Sequence, residues 1–163
     1  MSGAKNTNFL APSGFKLIID RKNYGNLAYT VQTATHSSVS LNTVEVPYQR
    51  TNIKEAGDTL NYGDVTFEMI LEEDLTNYNE MHDWLRRIVE TPSKSAVDRD
   101  GEPPLEVDIS LMVLSSKNNT TNRIIYRNAF PVDLGVITFD ASVDGVNYVT
   151  VPVTFSYDYF DVV

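Results

Sequence analysis

The charged stretch at residues 98–102 has the residue types of a calcium loop but not the spacing. Asp98, Asp100 and Glu102 could supply carboxylate ligands around Gly101. A calcium loop of the helix–loop–helix type needs its glycine at the sixth position and a glutamate at the twelfth. Here the glycine stands at the fourth position of the run. The pattern therefore favours a solvated charged loop.

An acidic run and two histidines are the remaining candidates for chemistry. Glu72-Glu73-Asp74 could act as paired carboxylates, but it lies directly before a predicted helix, where acidic groups stabilise the positive end of the dipole. His36 and His82 are far apart, and the chain has no cysteine, so neither a histidine metal site nor a thiol nucleophile is predicted. No nucleophile elbow, phosphate loop or dinucleotide fingerprint occurs. We expect neither an enzyme nor a cofactor.

Composition indicates one globular domain over residues 1–163. Hydrophobic residues make up 42% of the chain, enough for a buried core. Thirteen basic residues against 22 acidic ones give a net charge of -9, which argues against a nucleic-acid binder that relies on phosphate contacts. No apolar signal core follows the N-terminus and no apolar run approaches the ~20 residues of a membrane span. We therefore expect folding in the cytosol and no membrane partner.

One helix is predicted, from Tyr78 to Val89. Thr76 or Asn77 could cap its start, Asn77 with Glu80 resembles a capping box, and Pro92 ends it. Apolar side chains recur at three- and four-residue spacings, which predicts a helix that lies on a sheet. This core face comprises Tyr78, Met81, Trp84, Leu85, Ile88 and Val89.

The rest of the chain has the alternating pattern of short strands. The apolar phase slips between Leu41 and Val44, as at a bulge, and Pro152 inside the last strand points to an edge position or a bulge. Together the elements predict a mainly β fold, an antiparallel barrel or sandwich of about eight strands with one flanking α-helix. Residues 1–12 are expected to be a flexible arm and residues 91–104 a surface loop. The predicted strands are 15–20, 27–35, 39–46 with a continuation over 48–54, 65–71, 105–114, 123–128, 134–141 and 148–160.

Three segments resemble, in kind and order, the tail-tube proteins of contractile-tailed bacteriophages of the T4 type. The first runs from Pro47-Tyr-Gln-Arg50 to Ala56-Gly57-Asp58, and the second is the helix stretch from Tyr78 through Met81 to Trp84. The third is the ending, from Phe130-Pro131 to Tyr159. Tube initiators and the tube proteins of type VI secretion and R-type bacteriocins share this family.

The resemblance implies a structural subunit of an inner tail tube. Such subunits form hexameric rings that stack into a hollow tube, start from a tube initiator on a baseplate, and lie inside a tail sheath. DNA passes through without specific binding, and the protein, made in the host cytoplasm, ends in the virion tail. In such tubes part of each sheet joins a barrel around the lumen, with the helix outside it.

Two alternatives remain open from the sequence. A tube initiator on the baseplate is homologous but usually carries extensions that are not evident here. A small β-sandwich carbohydrate-binding module would need a row of exposed aromatic residues, whereas the nine tyrosines are scattered over several strands. The tube subunit is the leading interpretation.

Polar strand faces give the candidates for lining the lumen. In residues 105–114 the polar side chains alternate with a continuous apolar face, and in residues 27–35 two polar side chains oppose another apolar face. If the apolar faces form the subunit core, the polar faces are expected to look into the channel. The candidates are Thr30, Gln32, Glu106, Asp108 and Ser110.

Overall fold

The computed structural model describes residues 9–20, 22–25, 27, 30–95, 101–142 and 147–163. Its strands and single α-helix follow the predicted order, and the predicted mainly β fold with antiparallel pairing and one helix is confirmed. A short 3-10 helix, Thr91–Ser93, follows α1. The elements are β1 (Phe15–Ile18), β2 (Val31–Thr35), β3 (Val39–Tyr48), β4 (Thr51–Tyr62), β5 (Val65–Ile70), α1 (Thr76–Glu90), β6 (Val107–Leu114), β7 (Thr120–Leu134), β8 (Thr150–Ser156) and β9 (Tyr159–Val162).

Two antiparallel sheets share the long strand β7, and β3 and β4 stand apart as a two-stranded hairpin. The first sheet has the order β1-β6-β7-β9, and it uses the N-terminal part of β7. The second sheet has the order β7-β8-β5-β2, and it uses residues 130–134 of β7. The bend between the two parts of β7 lies at Asn128, which has a φ of 53°, in the left-handed region. The hydrophobic core fills the space between the two sheets.

A proline usually interrupts a strand, but Phe130 and Pro131 both belong to β7. They pair with Ser156 and Phe155 of β8, and the register shifts just after Pro131. A bulge is one of the few places where a sheet tolerates a residue without an N–H group.

The predicted strand over 134–141 is wrong, since only Leu134 of this range belongs to a strand. The N–H of Gly135 donates to the carbonyl oxygen of Pro152 over 2.8 Å, and proline cannot return a hydrogen bond. The ladder between β7 and β8 therefore ends at this point, and Val136 and Phe139 are exposed.

The predicted final strand over 148–160 is two strands, β8 and β9. Pro152 does not lie at an edge, because β8 runs between β7 and β5. The sheet tolerates Pro152 because its nitrogen, which has no hydrogen to donate, faces the side on which β7 has ended. Val151, Val153 and Phe155 share the buried face, as the alternation predicts.

Helix α1 begins without the predicted side-chain cap. Its N-cap residue is Leu75, in the left-handed region at a φ of 54°. The Asn77 side chain is buried instead, and it accepts the Glu72 N–H over 3.3 Å and donates to the Ile70 carbonyl over 2.7 Å. Asp74 accepts the N–H of Thr76 over 3.1 Å. The Asn77–Glu80 capping box is therefore wrong, and Asn77 fastens the helix start to the end of β5.

The apolar face of α1 is narrower than the sequence pattern suggests. Met81 and Trp84 are buried, and Tyr78 and Ile88 pack partly buried against the core. Leu85 is half-buried. Placing Val89 on this face was wrong, because Val89 is 78% exposed. Five positions after Trp84, a helix has turned by about 140° from it, which carries the side chain out of the core.

Trp84 connects the helix to three other segments. Its ring stacks on the Tyr24 ring at 4.0 Å and meets Phe155 edge-on at 5.8 Å. Its Nε1–H donates to the Leu105 carbonyl oxygen over 2.8 Å. The Tyr24 hydroxyl donates to the Pro104 carbonyl over 2.8 Å and accepts from Arg87 over 2.8 Å. The segment after β1, the helix and the approach to β6 are thereby joined.

Trp84→Ala should lower the free energy of unfolding by about 3–5 kcal/mol, because it removes a fully buried ring and leaves a cavity. Equilibrium unfolding in urea, followed by circular dichroism, measures the change. Val89→Ala is the matched control on the same helix, and we expect a change within about 0.5 kcal/mol. Equal losses for the two variants would contradict the packing described.

Candidate assembly surfaces

The β3–β4 hairpin projects a largely apolar surface that no other described part of the chain covers. Val46 lies directly across from Ile53, and Val44, Val46 and Tyr48 alternate along one face. These side chains are between 39% and 56% exposed. Exposed apolar patches of this kind mark interaction surfaces in soluble proteins. The exposed large apolar residues of the hairpin are Val39, Leu41, Val44, Val46, Tyr48, Ile53 and Leu60.

Two local features shape this hairpin. The turn between Tyr48 and Thr51 has two residues, and Gln49 has a φ of 53° there. The register shifts between Leu41 and Thr43, which agrees with the bulge predicted from the slipped apolar phase. Gly57 lies opposite this bulge, and a Cβ at that position would collide with the carbonyl oxygen of Asn42. The predicted continuation over 48–54 covers only the start of β4, which runs on through Ala56-Gly57-Asp58 to Tyr62.

The base of the hairpin is attached to the two sheets by aromatic and hydroxyl groups. Nδ1 of His36 and the Tyr126 hydroxyl form a hydrogen bond of 2.7 Å, and the His36 ring meets Phe160 edge-on at 4.9 Å. The next residue, Ser37, forms a short hydrogen bond to the Tyr157 hydroxyl. Burial raises the pKa of Tyr126 and of Tyr157. These contacts hold the hairpin at a fixed point beside β7 and β9.

Within the described residues, the second sheet has a free strand edge on each side. There, strand β2 pairs only with β5, and residues 130–134 of β7 pair only with β8, since β6 reaches no further than Ala129. Unpaired backbone groups at such edges are ready to pair with another chain. Because neighbouring strands alternate in direction, β2 of one copy would meet β7 of the next copy antiparallel.

The face of the second sheet that points away from the core has a row of small polar side chains. Thr35 lies across from Thr66, Thr66 across from Thr154, and Thr154 across from Asp133, so the row crosses all four strands. The hydroxyls of Thr66 and Thr154 are 3.3 Å apart. A neighbouring row contains Thr33 and Glu68. We call this surface the threonine face.

The predicted lumen-lining residues do not lie together. Gln32 is exposed at the register shift of β2, and Thr30 lies just before that strand with its hydroxyl 3.5 Å from the Leu27 carbonyl. Asp108 and Ser110 lie on the outward face of β6, in the first sheet, and Glu106 precedes that strand. The shift at Gln32 turns Thr33 outward, although strict alternation along a strand would place it on the same face as Val31.

Asp108 belongs to an ion-pair cluster on the first sheet. Arg127 donates to Asp108 over 2.6 Å and to Asp161 over 3.2 Å, and these hydrogen bonds raise the pKa of Arg127. The backbone N–H of Asn128 also donates to Asp108 over 3.2 Å. The cluster joins β6, β7 and β9, and the arginine offsets part of the negative charge of the two carboxylates.

The described ranges contain no group of three or more side chains that could hold a metal ion. Asp98 and Asp100 of the calcium-like stretch lie outside the described residues, as do residues 1–8 of the N-terminal arm. Glu102 forms an ion pair with Lys94 at 2.7 Å across the loop after α1. Within the ranges that the structure describes, no helix has the length and apolar character needed to cross a bilayer.

Known structures with the same fold come from contractile injection machines. The chain is similar to the tube-terminating cap of the anti-feeding prophage, with a TM-score of 0.68 and 14% identity over 98% of this chain and 94% of that chain. It is also similar to a chain of the sheath–tube complex of an extracellular contractile injection system, PVC, with a TM-score of 0.65 and 16% identity over 96% and 92% of the two chains.

The sheath/tube terminator of the same PVC system matches with a TM-score of 0.67 and 16% identity, over 96% of this chain and 99% of that chain. No protein-family model and no curated protein sequence matches the chain. The shared feature is therefore the fold, which this chain has over nearly its whole length. The fold resemblance to tube proteins that the three sequence segments predicted is confirmed.

The contact of His36 with Tyr126 at the base of the hairpin gives a prediction about pH. Burial lowers the pKa of His36 below its ordinary value of 6.5. As the pH falls through 6.5, the unfolded chain takes up a proton that the folded chain does not yet bind, so stability falls. In the wild-type protein, this loss of stability adds to the loss that protonation of carboxylates causes below pH 6.5. His36→Gln should flatten the decrease in the urea midpoint between pH 7.5 and 5.5.

His82→Gln is the control, because His82 is the other of the two histidines and lies on α1, away from the base of the hairpin. It should keep the pH dependence of the wild type. If the urea midpoint of His36→Gln depends on pH as steeply as that of the wild type, protonation of His36 does not affect the stability of the protein.

Proposed function

We propose that this chain is a structural subunit of the inner tube of a contractile injection system. Copies associate into hexameric rings, and the rings stack into a tube that conducts DNA inside a sheath. The assembled protein belongs to a tail-like particle, with a tube initiator and a baseplate at one end. The role is structural, and no catalytic step is assigned.

The β3–β4 hairpin is the observation that carries the proposal. Seven large apolar side chains are between 39% and 56% exposed on a two-stranded ribbon that pairs with no other strand of the described chain. An isolated ribbon of two strands is marginally stable in water, and this one extends over ten and twelve residues. Packing against a second copy would cover the apolar side chains and stabilise the ribbon.

The free edges of the second sheet support a ring. An edge at β2 and an edge at residues 130–134 are different surfaces, so their pairing is head-to-tail, and such contacts close into rings when the rotation between copies allows it. The pairing also removes exposed edges that would otherwise promote aggregation. The solved structures of the same fold come from tube-containing assemblies, which agrees with this arrangement.

A terminating cap is the second candidate, because the fold also matches the tube-terminating cap of the anti-feeding prophage over 98% of this chain. A cap would close the end of a tube and would form single rings in isolation. Two other readings are a tube initiator and a carbohydrate-binding module. The exposed aromatic residues of the described chain are scattered, which disfavours the module: Tyr48 lies on β3, Tyr159 on β9, and Phe9, Phe139 and Tyr148 lie outside the strands.

Negative-stain electron microscopy of the concentrated protein tests the proposal. We expect long tubes with a ring repeat for a tube subunit and single rings for a cap. Monomers at every concentration, with no sheath or baseplate present, would contradict the tube subunit.

Val46→Asp should abolish tubes, because it places a charge in the centre of the apolar face of the hairpin. Thr43→Asp is the matched control, since Thr43 is exposed on the same strand and pairs with Ala56 on the opposite face. We expect Thr43→Asp to assemble. Circular dichroism of both variants verifies that the subunit is folded. Tubes formed equally by both variants would show that the apolar face is not the contact.

A further inference from the structure

We propose that the groove between β1 and β2 is a socket for the next copy in the ring, and that it receives Val132 of that copy. Lys16 at the rim of the groove pairs with Glu106 of the same neighbouring copy. Since a second copy completes the socket, this inference rests on the proposed tube function and names the side chains that fit the subunits together.

The groove lies where the path of paired strands fails to close. Six strands follow the order β1-β6-β7-β8-β5-β2, so β1 and β2 are the two ends of the path. Within the described residues, each of these two strands pairs with one partner only and has one free edge. The groove between them has a volume of about 700 Å³. Apolar side chains from both strands line it, namely Phe15, Leu17, Val31 and Ala34.

The lining of the groove is an unfinished margin of the core. Phe15, Val31 and Ala34 pack against the core but are only partly buried. An apolar margin beside free strand edges suits a segment of another chain that brings both backbone groups and an apolar side chain. Lys16 is the charged residue among the described lining residues. It is exposed and forms no ion pair within the described part of the chain.

The free edge of β7 offers a matching projection. The register of β7 and β8 shifts between Pro131 and Asp133, so Val132 is the extra residue of a bulge and faces no residue of β8. Pro131 is buried, whereas Val132 is 45% exposed. A bulge therefore leaves an apolar side chain in water at the edge that the ring would pair with β2. Burial in the groove of the next copy would remove it from water.

Glu106 lies beside the same edge. Val107 pairs with Ala129, so Glu106 lies where β7 loses its partner β6 and the free edge begins. β6 runs along the edge of β7 opposite β9, which is the side that faces the next copy. Glu106 is exposed and has no ion-pair partner among the residues that the structure describes. The sequence-based expectation placed this carboxylate at the lumen, and the proposed socket places it at the boundary between copies.

The two surfaces are complementary in shape and in charge. One copy presents an apolar groove with a cation at its rim, and the next presents an apolar projection with a carboxylate beside it. Both lie at the edges that the proposed ring brings together, β2 and residues 130–134 of β7. Opposite charges at such a boundary favour the correct partner surface, and like charges oppose a wrong one. The contact is head-to-tail, so each copy uses its groove on one side and its projection on the other.

Charge reversal tests the ion pair. Lys16→Glu and Glu106→Lys should each raise the protein concentration for half-maximal ring formation by about tenfold at low salt, because like charges then meet at every boundary. The effect should shrink as salt screens the charges. The double variant Lys16→Glu/Glu106→Lys should assemble as the wild type does. Lys117→Glu is the matched control, since Lys117 is exposed in the turn after β6, and it should assemble normally. Sedimentation velocity measures assembly, and circular dichroism verifies the fold of each variant.

Val132→Asp tests the projection. We expect this variant to stay folded by circular dichroism and to form no rings, because the groove would have to bury an unpaired carboxylate. Val89→Asp is the control, since Val89 is 78% exposed on α1, and it should form rings. Rings formed equally by both variants would contradict the socket.

Because the chain has no cysteine, introduced cysteines can show which surfaces meet. Lys16→Cys and Glu106→Cys are mixed, assembled and treated with a bis-maleimide of short spacer. We expect cross-linked dimers from the mixture and none from either variant alone, since the contact is head-to-tail. A subunit with both substitutions should give a ladder of multimers that ends at the number of subunits in the ring. Lys16→Cys mixed with Arg86→Cys, on the exposed side of α1, should give no cross-link.

The outcomes separate the socket from the proposed function. Rings seen by microscopy without the Lys16→Cys/Glu106→Cys cross-link, or without rescue by the double charge reversal, would overturn the socket and leave the tube subunit intact. Absence of rings and tubes from the wild-type protein under every condition would remove the proposed function, and the socket with it.

Discussion

The architecture depends on one strand that belongs to two sheets. β7 has fifteen residues, and the left-handed conformation of Asn128 divides it into a part that pairs with β6 and β9 and a part that pairs with β8. The bend brings the apolar faces of both sheets together around Tyr126 and Ala129, which are fully buried. It also stops β6 from following β7 to its end. The unpaired edge at residues 130–134 is therefore a direct result of how the core is built.

Short-range patterns in the sequence predict the elements well and their boundaries poorly. The helix and β5 follow from apolar periodicity, and the phase slip between Leu41 and Val44 predicts the bulge that the hairpin has. The errors concern residues whose effect depends on a partner strand. Pro131 and Pro152 lie inside strands because the neighbouring strand is shifted or has ended beside them. No local pattern contains that information.

The same limit applies to the surfaces, because the direction in which a side chain points also depends on the partner strand. The sequence identifies strands with one apolar and one polar face, but a single irregularity at Gln32 decides whether Thr33 points inward or outward. Gly57 lies beyond the predicted strand over 48–54, although it belongs to β4 and lets the hairpin bulge pass close to Asn42. The threonine row could be recognised only after the register aligned Thr35, Thr66 and Thr154 across three strands. Each threonine alone is unremarkable in a strand.

The hairpin also has a consequence for the order in which the chain becomes structured. β3 and β4 are joined by two residues, so their pairing closes a minimal loop and belongs to the microsecond events of folding. β1, in contrast, pairs Phe15 with Val113, and this contact must wait until most of the chain has left the ribosome. The hairpin, which exposes the apolar side chains, is thus the first part of the subunit that can form. It forms before the two sheets that hold it in position.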